Sequence, residues 1–238
     1  RKTPAFSITR LRAKNRLVEI RPSELNFTES EVNCFFEDFL DPSLSHEQIR
    51  RVMGATQGWA AGVRLMGVAL GEDPNRLEAW KEGTRLAVDY LGSEIIEQLP
   101  ADWLGFLGKM AIFDQFTLET ASFLVGSKDA TNLLHQMLQA NLFLDRRGDT
   151  YQFHPFFREA LLQKLTDAER YWLHRKAAAW FETHTQLEKA ILQALAGQDW
   201  DRVARLILTQ IETSLKKGEI QTLQNWLLQI PETIRAAN

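Results

Sequence analysis

The chain has 238 residues, of which 45% are hydrophobic and 25% are charged, and its formal net charge is −3. This composition is typical of a globular protein with two or more small domains, and it excludes intrinsic disorder. The small negative charge gives no general attraction to nucleic acid or to anionic membranes. Nonspecific binding to polyanions is therefore not expected.

The cellular compartment is indicated by the single cysteine, Cys34, and by the apolar runs of the sequence. One cysteine cannot form an internal disulfide, which fits a reducing environment. Because Cys34 lies in the apolar pattern of a predicted helix, we expect it to pack as a small hydrophobe. No apolar run approaches the roughly 20 residues needed to cross a bilayer, and we expect a soluble, cytoplasmic protein.

The first twenty residues are typical of the end of an α/β domain. The chain opens with Arg1 instead of methionine, and the residues RLVEI at 16–20 predict one short strand. A lone strand cannot satisfy its backbone groups or its edges. We therefore expect this chain to be part of a longer protein that continues upstream.

Capping residues and apolar spacing predict four helices in the first hundred residues. Thr28 and Glu31 form a capping box, and Ser45 is suited to begin the next helix. Small residues crowd the third segment, GWAAGVRLMGVALG, which permits close approach of either a packed helix or a ligand. The predicted ranges are 29–40, 45–57, 58–71 and 77–99.

In the middle of the chain, three short helices are predicted to precede a β-hairpin. Apolar spacing predicts the helices over 103–110, 118–124 and 129–140. Two strands are predicted over 142–145 and 151–153, and the segment between them turns on Gly148. Three helices followed by a hairpin is the order of a winged-helix domain.

The last part of the chain, 166–238, is predicted to consist of helical pairs with alanine at close-packing positions. The helices are predicted over 171–183, 187–196, 200–215 and 220–228. The turns at 197–199 and 217–219 each precede a new helix, as in the antiparallel pairs of helical-repeat scaffolds. The repeat is degenerate, and we expect further repeats downstream.

The most informative stretch is YQFHPFFREALL at 151–162, where His154 stands between a strand and an amphipathic helix. His154 occupies the N-cap position and Pro155 the first helical position, which its fixed φ suits. The side chain is aimed outward from the positive end of a helix, where phosphate or another anion is easily accommodated. From the local sequence alone, a capping histidine or a satisfied core histidine is the alternative.

The sequence contains no catalytic or metal-binding pattern. It has no GxxxxGK[ST] phosphate loop, no GxGxxG after a strand and no GxSxG nucleophile elbow. The histidines show neither HExxH nor a cysteine partner suited to zinc. We therefore expect no enzyme activity, no metal and no tightly bound cofactor in this chain.

Three motifs in a fixed order carry a resemblance to a known family. They are LVEIRPSELNFTESEV at 17–32, TQGWAAGVRL at 56–65 and NLFLDRRGDTYQFHPFFREAL at 141–161. Together they resemble the MalT-like regulators of the STAND class, the signal-transduction ATPases with numerous domains. Those proteins are large LuxR-type transcription activators. The resemblance extends over nearly the whole chain, and the three motifs together are more specific than any one alone.

The resemblance implies a mainly α fold built from four modules. The modules are the C-terminal remnant of a nucleotide-binding α/β domain at 1–27, a helical lid at 28–99, a winged-helix domain with a short β-hairpin at 100–165, and the start of a TPR-like helical arm at 166–238. In such a protein the phosphate loop lies before Arg1. A helix-turn-helix DNA-binding domain lies far beyond Asn238.

The resemblance also implies five nucleotide-contacting residues. Arg1 matches an arginine that ends a core strand near the nucleotide, and Gly58, Trp59 and Ala60 match the lid motif that touches the adenine. Ala60 stands where related proteins have proline, which is a departure from the family pattern. His154 matches the winged-helix histidine that in related proteins reaches the β-phosphate of ADP and holds the closed, resting form.

The function that the resemblance implies is regulatory. ADP or ATP is held by the upstream P-loop domain of the parent protein, where ADP favours a closed form and an inducer with ATP favours an open, self-associating form. The implied partners are that P-loop domain, downstream helical repeats, an inducer or regulatory protein, and DNA only through a C-terminal domain absent here; no membrane partner is expected. Two alternatives are a helical protein-interaction scaffold without a nucleotide role and a winged helix that reads DNA.

Overall fold

The computed structural model describes residues 8–18, 20, 24–40, 44–71, 73–126, 129–218 and 220–235. Within these residues the protein is mainly α-helical, with one small antiparallel sheet. The predicted fold class is therefore confirmed at the level of a mainly α protein with a winged-helix domain. Arg1 lies outside the described residues.

The strand predicted over 16–20 is wrong for the part of it that the structure describes. Residues 16–18 and Ile20 have no regular secondary structure, and the segment before them is a short helix, α1 (Ile8–Ala13). Val18 and Ile20 are largely exposed. A strand needs a partner for its backbone groups, and none of the strands in the described residues lies beside this segment.

Four helices and a short 3-10 helix follow, close to the predicted ranges. They are α2 (Glu29–Phe39), α3 (His46–Thr56), α4 (Ala60–Leu70), α5 (Leu77–Glu94) and the 3-10 helix Ile96–Gln98. The amide of Glu31 donates to the hydroxyl of Thr28 at 3.3 Å, and Ser45 accepts from Gln48 at 3.3 Å. The predicted capping box and the predicted N-cap are thus confirmed.

The small residues of α4 and α5 bring helices close together. A Cβ at Gly67 would lie 3.0 Å from the ring of Phe36, and one at Gly83 would lie 2.8 Å from the sulfur of Met66. Glycine at these positions therefore serves helix packing. On α2 the buried face carries Phe36, whereas Cys34 is exposed. The prediction that Cys34 packs as a small hydrophobe is wrong, because its side chain lies on another face of the helix.

The middle of the chain has winged-helix topology. Its elements are α6 (Ala101–Met110), β1 (Phe116–Thr117), α7 (Leu118–Val125), α8 (Ala130–Gln139), β2 (Leu144–Arg147), β3 (Thr150–Phe153) and α9 (Pro155–Leu162). The strands form an antiparallel sheet in the order β1-β3-β2. The predicted hairpin is confirmed, although β2 begins later than predicted. Arg147 pairs with Thr150, so Gly148, at φ +61°, begins the loop between the strands.

The last part of the described chain is helical, as predicted. Its helices are α10 (Asp167–Thr183), α11 (Leu187–Ala196), α12 (Trp200–Lys217), α13 (Ile220–Gln229) and α14 (Glu232–Arg235). The helices α10 and α11 pack as an antiparallel pair, in which Gly197 lies against the backbone of Arg175. Among the described residues, no helix combines the length and the apolar character that crossing a membrane requires.

One apolar core continues from α2 through the winged helix into α13. The long helix α5 packs against α4 on one side and against α9 on the other. It therefore joins the predicted lid to the predicted winged-helix domain, and it positions the α3–α4 turn next to the start of α9.

Candidate functional site

The turn between α3 and α4, residues 56–59, is named here the TQGW turn after its sequence. The fully buried hydroxyl of Thr56 donates to the carbonyl of Val52 at 2.9 Å and accepts from the amide of Gly58 at 3.3 Å. Gln57 and Gly58 both have positive φ, at 48° and 76°. A short chain of hydrogen bonds thus fixes the backbone of this turn, including the direction of its carbonyl groups.

Gly58 faces the segment that precedes α2. The amide of Phe27 donates to the carbonyl of Gly58 at 2.7 Å. A Cβ at Gly58 would collide with the carbonyl oxygen of Phe27. The requirement for glycine at this position therefore comes from a close approach of the protein's own backbone.

His154 connects the TQGW turn to the winged helix. Its side chain caps α9, since the ring nitrogen Nδ1 accepts from the amide of Phe156 at 3.3 Å. The other ring nitrogen, Nε2, lies 2.7 Å from the carbonyl oxygen of Thr56. A carbonyl only accepts and an amide N–H only donates. The two contacts therefore select the neutral imidazole with its hydrogen on Nε2.

The surroundings of His154 also favour the neutral ring. Burial lowers the pKa of His154 below its ordinary value of 6.5, and the Thr56 carbonyl and the charge of Asp145 oppose this shift only in part. The neutral form is the one that fits both the hydrogen bonds and the partial burial of the side chain.

Aromatic rings surround the imidazole. The ring centroids of Trp59, Phe143 and Phe156 lie 5.8, 5.8 and 5.7 Å from that of His154. Trp59 in turn contacts Phe143 at 5.4 Å and Tyr90 at 6.0 Å. These contacts join side chains from α5, the TQGW turn, the α8–β2 connection and the start of α9.

The imidazole also lines a cavity of about 560 Å³ at this junction. Ligand-binding cavities commonly have volumes of roughly 300 to 1,000 Å³ and a mostly apolar lining with a few polar groups. The lining residues are Leu25, Asn26, Gln57, Trp59, Ala60, Ala61, Tyr90, Ile95, Ala140, Asn141, Leu142, Phe143, Leu144, Asp145 and His154. Most of them are aliphatic or aromatic, and the polar side chains among them are Asn26, Gln57, Tyr90, Asn141, Asp145 and His154.

Three of the lining residues have an unfavourable backbone conformation. Gln57, Asn141 and Phe143 have φ values of 48°, 51° and 51°. Positive φ is uncommon outside glycine, and for a bulky residue such as Phe143 it is an outlier. Such conformations are costly and concentrate at functional sites. In the described part of the chain, three of the six non-glycine residues with positive φ line this cavity, and together with His154 and its aromatic neighbours they mark the junction as the candidate functional site.

The structure brings together three of the five predicted nucleotide residues. Trp59, Ala60 and His154 line the same cavity. Gly58 precedes Trp59 in the chain, but the side of Gly58 on which a Cβ would stand faces Phe27. Ala60 is the first residue of α4, a position that proline suits as well. Arg1 is outside the described residues, so its predicted role stays a prediction.

The sequence had not pointed to several other residues of the site. Tyr90 lies on α5, is 42% exposed and lines the cavity. Asn141 and Phe143 belong to the third motif, but their positive φ depends on how α8 ends and is not visible in the sequence. Thr56 belongs to a motif that had been noted, but its contact with His154 uses a backbone carbonyl, which the sequence does not reveal.

Arg158 attaches α9 to the end of α6. Its guanidinium donates to the carbonyl groups of Ala111, Phe113 and Ile112, at 2.8, 3.0 and 3.4 Å, and forms an ion pair with Asp114 at 3.1 Å. These groups follow the end of α6, where carbonyl groups lack helical partners. Because Arg158 is one helical turn after His154, the first turn of α9 is attached both to the end of α6 and to the TQGW turn.

The exposed face of α8 is polar and uncharged. Its exposed residues are Thr131, Asn132, His135, Gln136 and Gln139. Asn132 accepts from Gln136 and His135 contacts Gln139, so these side chains are bonded to one another. A helix that reads DNA usually places arginine or lysine toward bases and phosphates. The sequence of α8, ATNLLHQMLQ, has neither.

Comparison with protein families identifies the middle of the chain. Residues 92–173 match the model of the MalT winged helix domain, which begins near the end of α5 and ends within α10. The matched region is about a third of the chain and contains His154, Phe143 and Arg158. The TQGW turn lies outside it. The match supports a MalT-like regulator as the class of protein to which this winged helix is similar.

Proposed function

We propose that this chain is the regulatory part of a cytoplasmic, nucleotide-controlled transcription regulator of the MalT-like, LuxR and STAND type. In this proposal α2–α5 act as a lid and α6–α9 as a winged helix, and both contact ADP or ATP held by a P-loop domain elsewhere in the same protein. The chain itself is not proposed to catalyse a reaction. The helices from α10 onward begin a TPR-like arm that carries inducer or partner signals.

The observation that carries the proposal is the position of His154. A ring from the winged helix meets the TQGW turn at 2.7 Å, and both border one aromatic cavity. A ligand seated there would touch residues on both sides of the junction. Its binding free energy would therefore depend on how the two parts are arranged, which is the requirement for a ligand-controlled switch.

The chain's own residues suit the parts of a nucleotide. Trp59 and Tyr90 offer aromatic surface for a base, and His154 offers a hydrogen-bond donor for a phosphate oxygen at the N-terminus of α9. When bound, the nucleotide would supply the charge that distinguishes the resting from the active form. In the active form the parent is proposed to self-associate, and its DNA contacts are made by a separate domain.

The test is the substitution His154→Ala in the parent protein, with ADP affinity measured by calorimetry and basal transcription activity measured alongside. A hydrogen bond to a charged group contributes about 1.5 to 3 kcal/mol, so we expect ADP affinity to fall roughly tenfold or more. Basal activity should rise. His135→Ala is the matched control, since His135 is exposed on α8 and is not one of the residues that line the cavity.

Unchanged ADP affinity and unchanged basal activity in His154→Ala would contradict the proposed role of this residue. An equal loss in the His135 variant would point to a general effect of removing a histidine. Because most phosphate contacts are proposed to lie in the P-loop domain, the measurement has to be made on the parent.

A second candidate function is a protein-interaction scaffold, which the surface of α12 and α13 favours. Leu208, Ile220 and Leu228 are 69%, 53% and 70% exposed, and exposed apolar side chains mark interaction surfaces where they form a contiguous patch. ADP calorimetry on the parent separates the two functions. A parent that does not bind ADP would leave the scaffold as the better proposal.

A further inference from the structure

We propose that the cavity between the TQGW turn and the winged helix binds a planar organic cation, a guanidinium or amidinium group carried by a small molecule or by an arginine side chain of a partner. The cation lies against the rings of Trp59 and Tyr90, and its charge is paired with the carboxylate of Asp145. This inference goes beyond the proposed function and does not rest on it, because every residue that it uses belongs to this chain.

The first argument is the formal charge of the cavity lining. Asp145 lines the cavity, and the described residues of the lining include no arginine or lysine. Because His154 is neutral, the lining carries one negative charge at neutral pH. Arg146 and Arg147 follow on β2 but do not line the cavity, and the ion pairs of the described chain do not include Asp145. The lining therefore attracts a cation and repels an anion.

The second argument is the direction of the helices that meet at the cavity. Gln57, Ile95 and Ala140 line the cavity, and they are the C-cap residues of α3, α5 and α8. The C-terminal end of a helix is negative and favours cations. Two helices of the described chain, α4 and α9, begin at the cavity, and the ring of His154 already accepts from the first amide of α9. The helix ends therefore add partial negative charge to the lining.

The third argument is the arrangement of two aromatic rings. Trp59 and Tyr90 line the cavity, with ring centroids 6.0 Å apart and ring planes inclined at 47°. Tyr90 is 42% exposed, so a ligand can reach its ring. A cation within about 6 Å of a ring centroid is attracted by the electrons of the ring, and a guanidinium also stacks on an aromatic face. Two inclined rings and a carboxylate are the groups that a flat cation requires.

The cation and a nucleotide would share part of the cavity. The rings of Trp59 and Tyr90 are the surface proposed for a base, so the two ligands would compete for these rings in the parent protein. The positive charge that pairs with a phosphate would then come from the P-loop domain, because the described lining has none. A cation bound to this chain would thus act as a signal that lowers the affinity of the parent for ADP.

Three ligands of the same shape test the sign of the charge that this chain binds. They are benzamidine, which is a cation at neutral pH, the neutral benzamide and the benzoate anion, and their binding is followed by NMR at the indole N–H of Trp59. A cation–π contact and an exposed ion pair each contribute roughly two- to fivefold in affinity. Together they should make benzamidine bind about five- to twentyfold more tightly than benzamide. Benzoate should bind more weakly than benzamide.

Substitutions locate the groups that are responsible for this preference. Asp145→Asn keeps the shape of the side chain and should reduce the ratio of benzamidine to benzamide affinity roughly two- to fivefold. Asp149→Asn is the matched control, because it makes the same change of net charge at an exposed residue that does not line the cavity. It should leave the ratio unchanged. Tyr90→Leu should lower the ratio, since leucine has no aromatic face.

A second pair of ligands separates the two sources of the cation. Acetyl-arginine amide carries the guanidinium of an arginine side chain, and the corresponding citrulline compound has nearly the same shape without the charge. If the arginine compound binds more tightly than both the citrulline compound and benzamidine, the cation is an arginine side chain of a partner. If benzamidine binds more tightly than the arginine compound, the cation is a small aromatic molecule.

Equal binding of benzamidine and benzamide to the unsubstituted chain would overturn the proposal, and so would benzoate as the tightest of the three ligands. This comparison does not depend on the folding of a variant. An equal fall of the ratio in Asp145→Asn and Asp149→Asn would also overturn it, because the net charge of the chain would then be the cause. None of these measurements uses ADP, so their failure is distinct from a failure of the nucleotide function in the parent.

Discussion

The amide of Phe27 donates a 2.7 Å hydrogen bond to the carbonyl of Gly58, and the missing side chain of Gly58 leaves the space into which Phe27 fits. Two residues earlier, the carbonyl of Thr56 receives the ring of His154. The TQGW turn is therefore held from two sides, by the segment before α2 and by the winged helix. A change on either side acts on the same short piece of backbone.

We expect Gly58→Ala to reduce stability strongly. Its φ of 76° is unfavourable for alanine, and the added Cβ would collide with Phe27. The loss should exceed about 1 kcal/mol, the usual cost of alanine forced into a left-handed conformation. Urea denaturation of the chain measures it.

The matched control for that substitution is Gly54→Ala. Gly54 lies within α3, and its added Cβ would meet no atom within 4 Å. Alanine is the better helix former, so this variant should gain up to about 1 kcal/mol. If the two variants behaved alike, the contact between Gly58 and Phe27 would not be what requires glycine.

Substitutions of His154 should separate its two structural contacts. Asparagine is a favoured N-cap residue and can still accept the amide of Phe156, but it is too short to reach Thr56. Alanine loses both contacts. We expect His154→Ala to be less stable than His154→Asn by about 0.5 to 2 kcal/mol, the contribution of an N-cap, and both to be less stable than the original chain in urea denaturation. Equal stability of the two variants would mean that the capping contact contributes nothing.

The backbone conformation of Gln57 should be visible in stability measurements. Gln57 ends α3 with a φ of 48°, where a left-handed residue costs about 1 to 2 kcal/mol unless it is glycine. Glycine would remove this cost, but its greater freedom in the unfolded chain offsets part of the gain. Gln57→Gly should therefore raise the free energy of unfolding by roughly 0.5 kcal/mol. Gln57→Val should lose about 1 kcal/mol or more, because β-branched residues tolerate this region poorly. Thermal unfolding that ranks valine at or above glycine would argue against strain at this position.

Stability should fall when the pH drops below about 6.5. Burial lowers the pKa of His154 despite Asp145 nearby, and burial together with Arg158 and Arg170 lowers the pKa of His174 despite its bond to Gln193. The unfolded chain, with the ordinary value of 6.5, therefore takes up protons first as the pH falls. Well above that pH the two histidines are neutral in both the folded and the unfolded chain. Their contribution to the free energy of unfolding is then constant.

The pH effect is measured by denaturation between about pH 7.5 and 5.5, above the range in which carboxylates titrate. The original chain should lose stability over this interval. The His154→Asn variant should lose less stability over the same interval, and a double variant that also carries His174→Asn should lose the least. If all three curves had the same slope, these two histidines would not be the cause.

Helix boundaries followed from the sequence because their signals are local. A hydroxyl and a carboxylate three residues apart, as in Thr28 and Glu31, carry the whole geometry of a helix start. Histidine followed by proline, at 154 and 155, likewise predicts the start of α9. In contrast, β1 has only two residues and exists because Phe116 pairs with Tyr151. No local pattern predicts a strand of that length.

The candidate site was only partly predictable for a similar reason. Trp59 and His154 stood in motifs, and the structure brings them to one cavity. The central contact of His154, however, is with a backbone carbonyl 98 residues away. Every residue has such a carbonyl, so its position is known only after α5 has packed against both α4 and α9.

Arg158 should be more important for stability than its surface ion pair suggests. Its guanidinium is 29% exposed and reaches three carbonyl groups after α6, whereas Asp114 is 88% exposed. Ion pairs with exposed partners contribute about 0 to 1 kcal/mol, so Asp114→Asn should change stability little. Arg158→Ala removes the donors and should lose about 1 to 3 kcal/mol, the penalty for carbonyl groups left without partners. Arg158→Lys should recover only part, since one ammonium group cannot reproduce the guanidinium fork. Urea denaturation of the three variants measures these losses of stability. If Asp114→Asn lost as much stability as Arg158→Ala, the ion pair, and not the carbonyl contacts, would hold α9 to the end of α6.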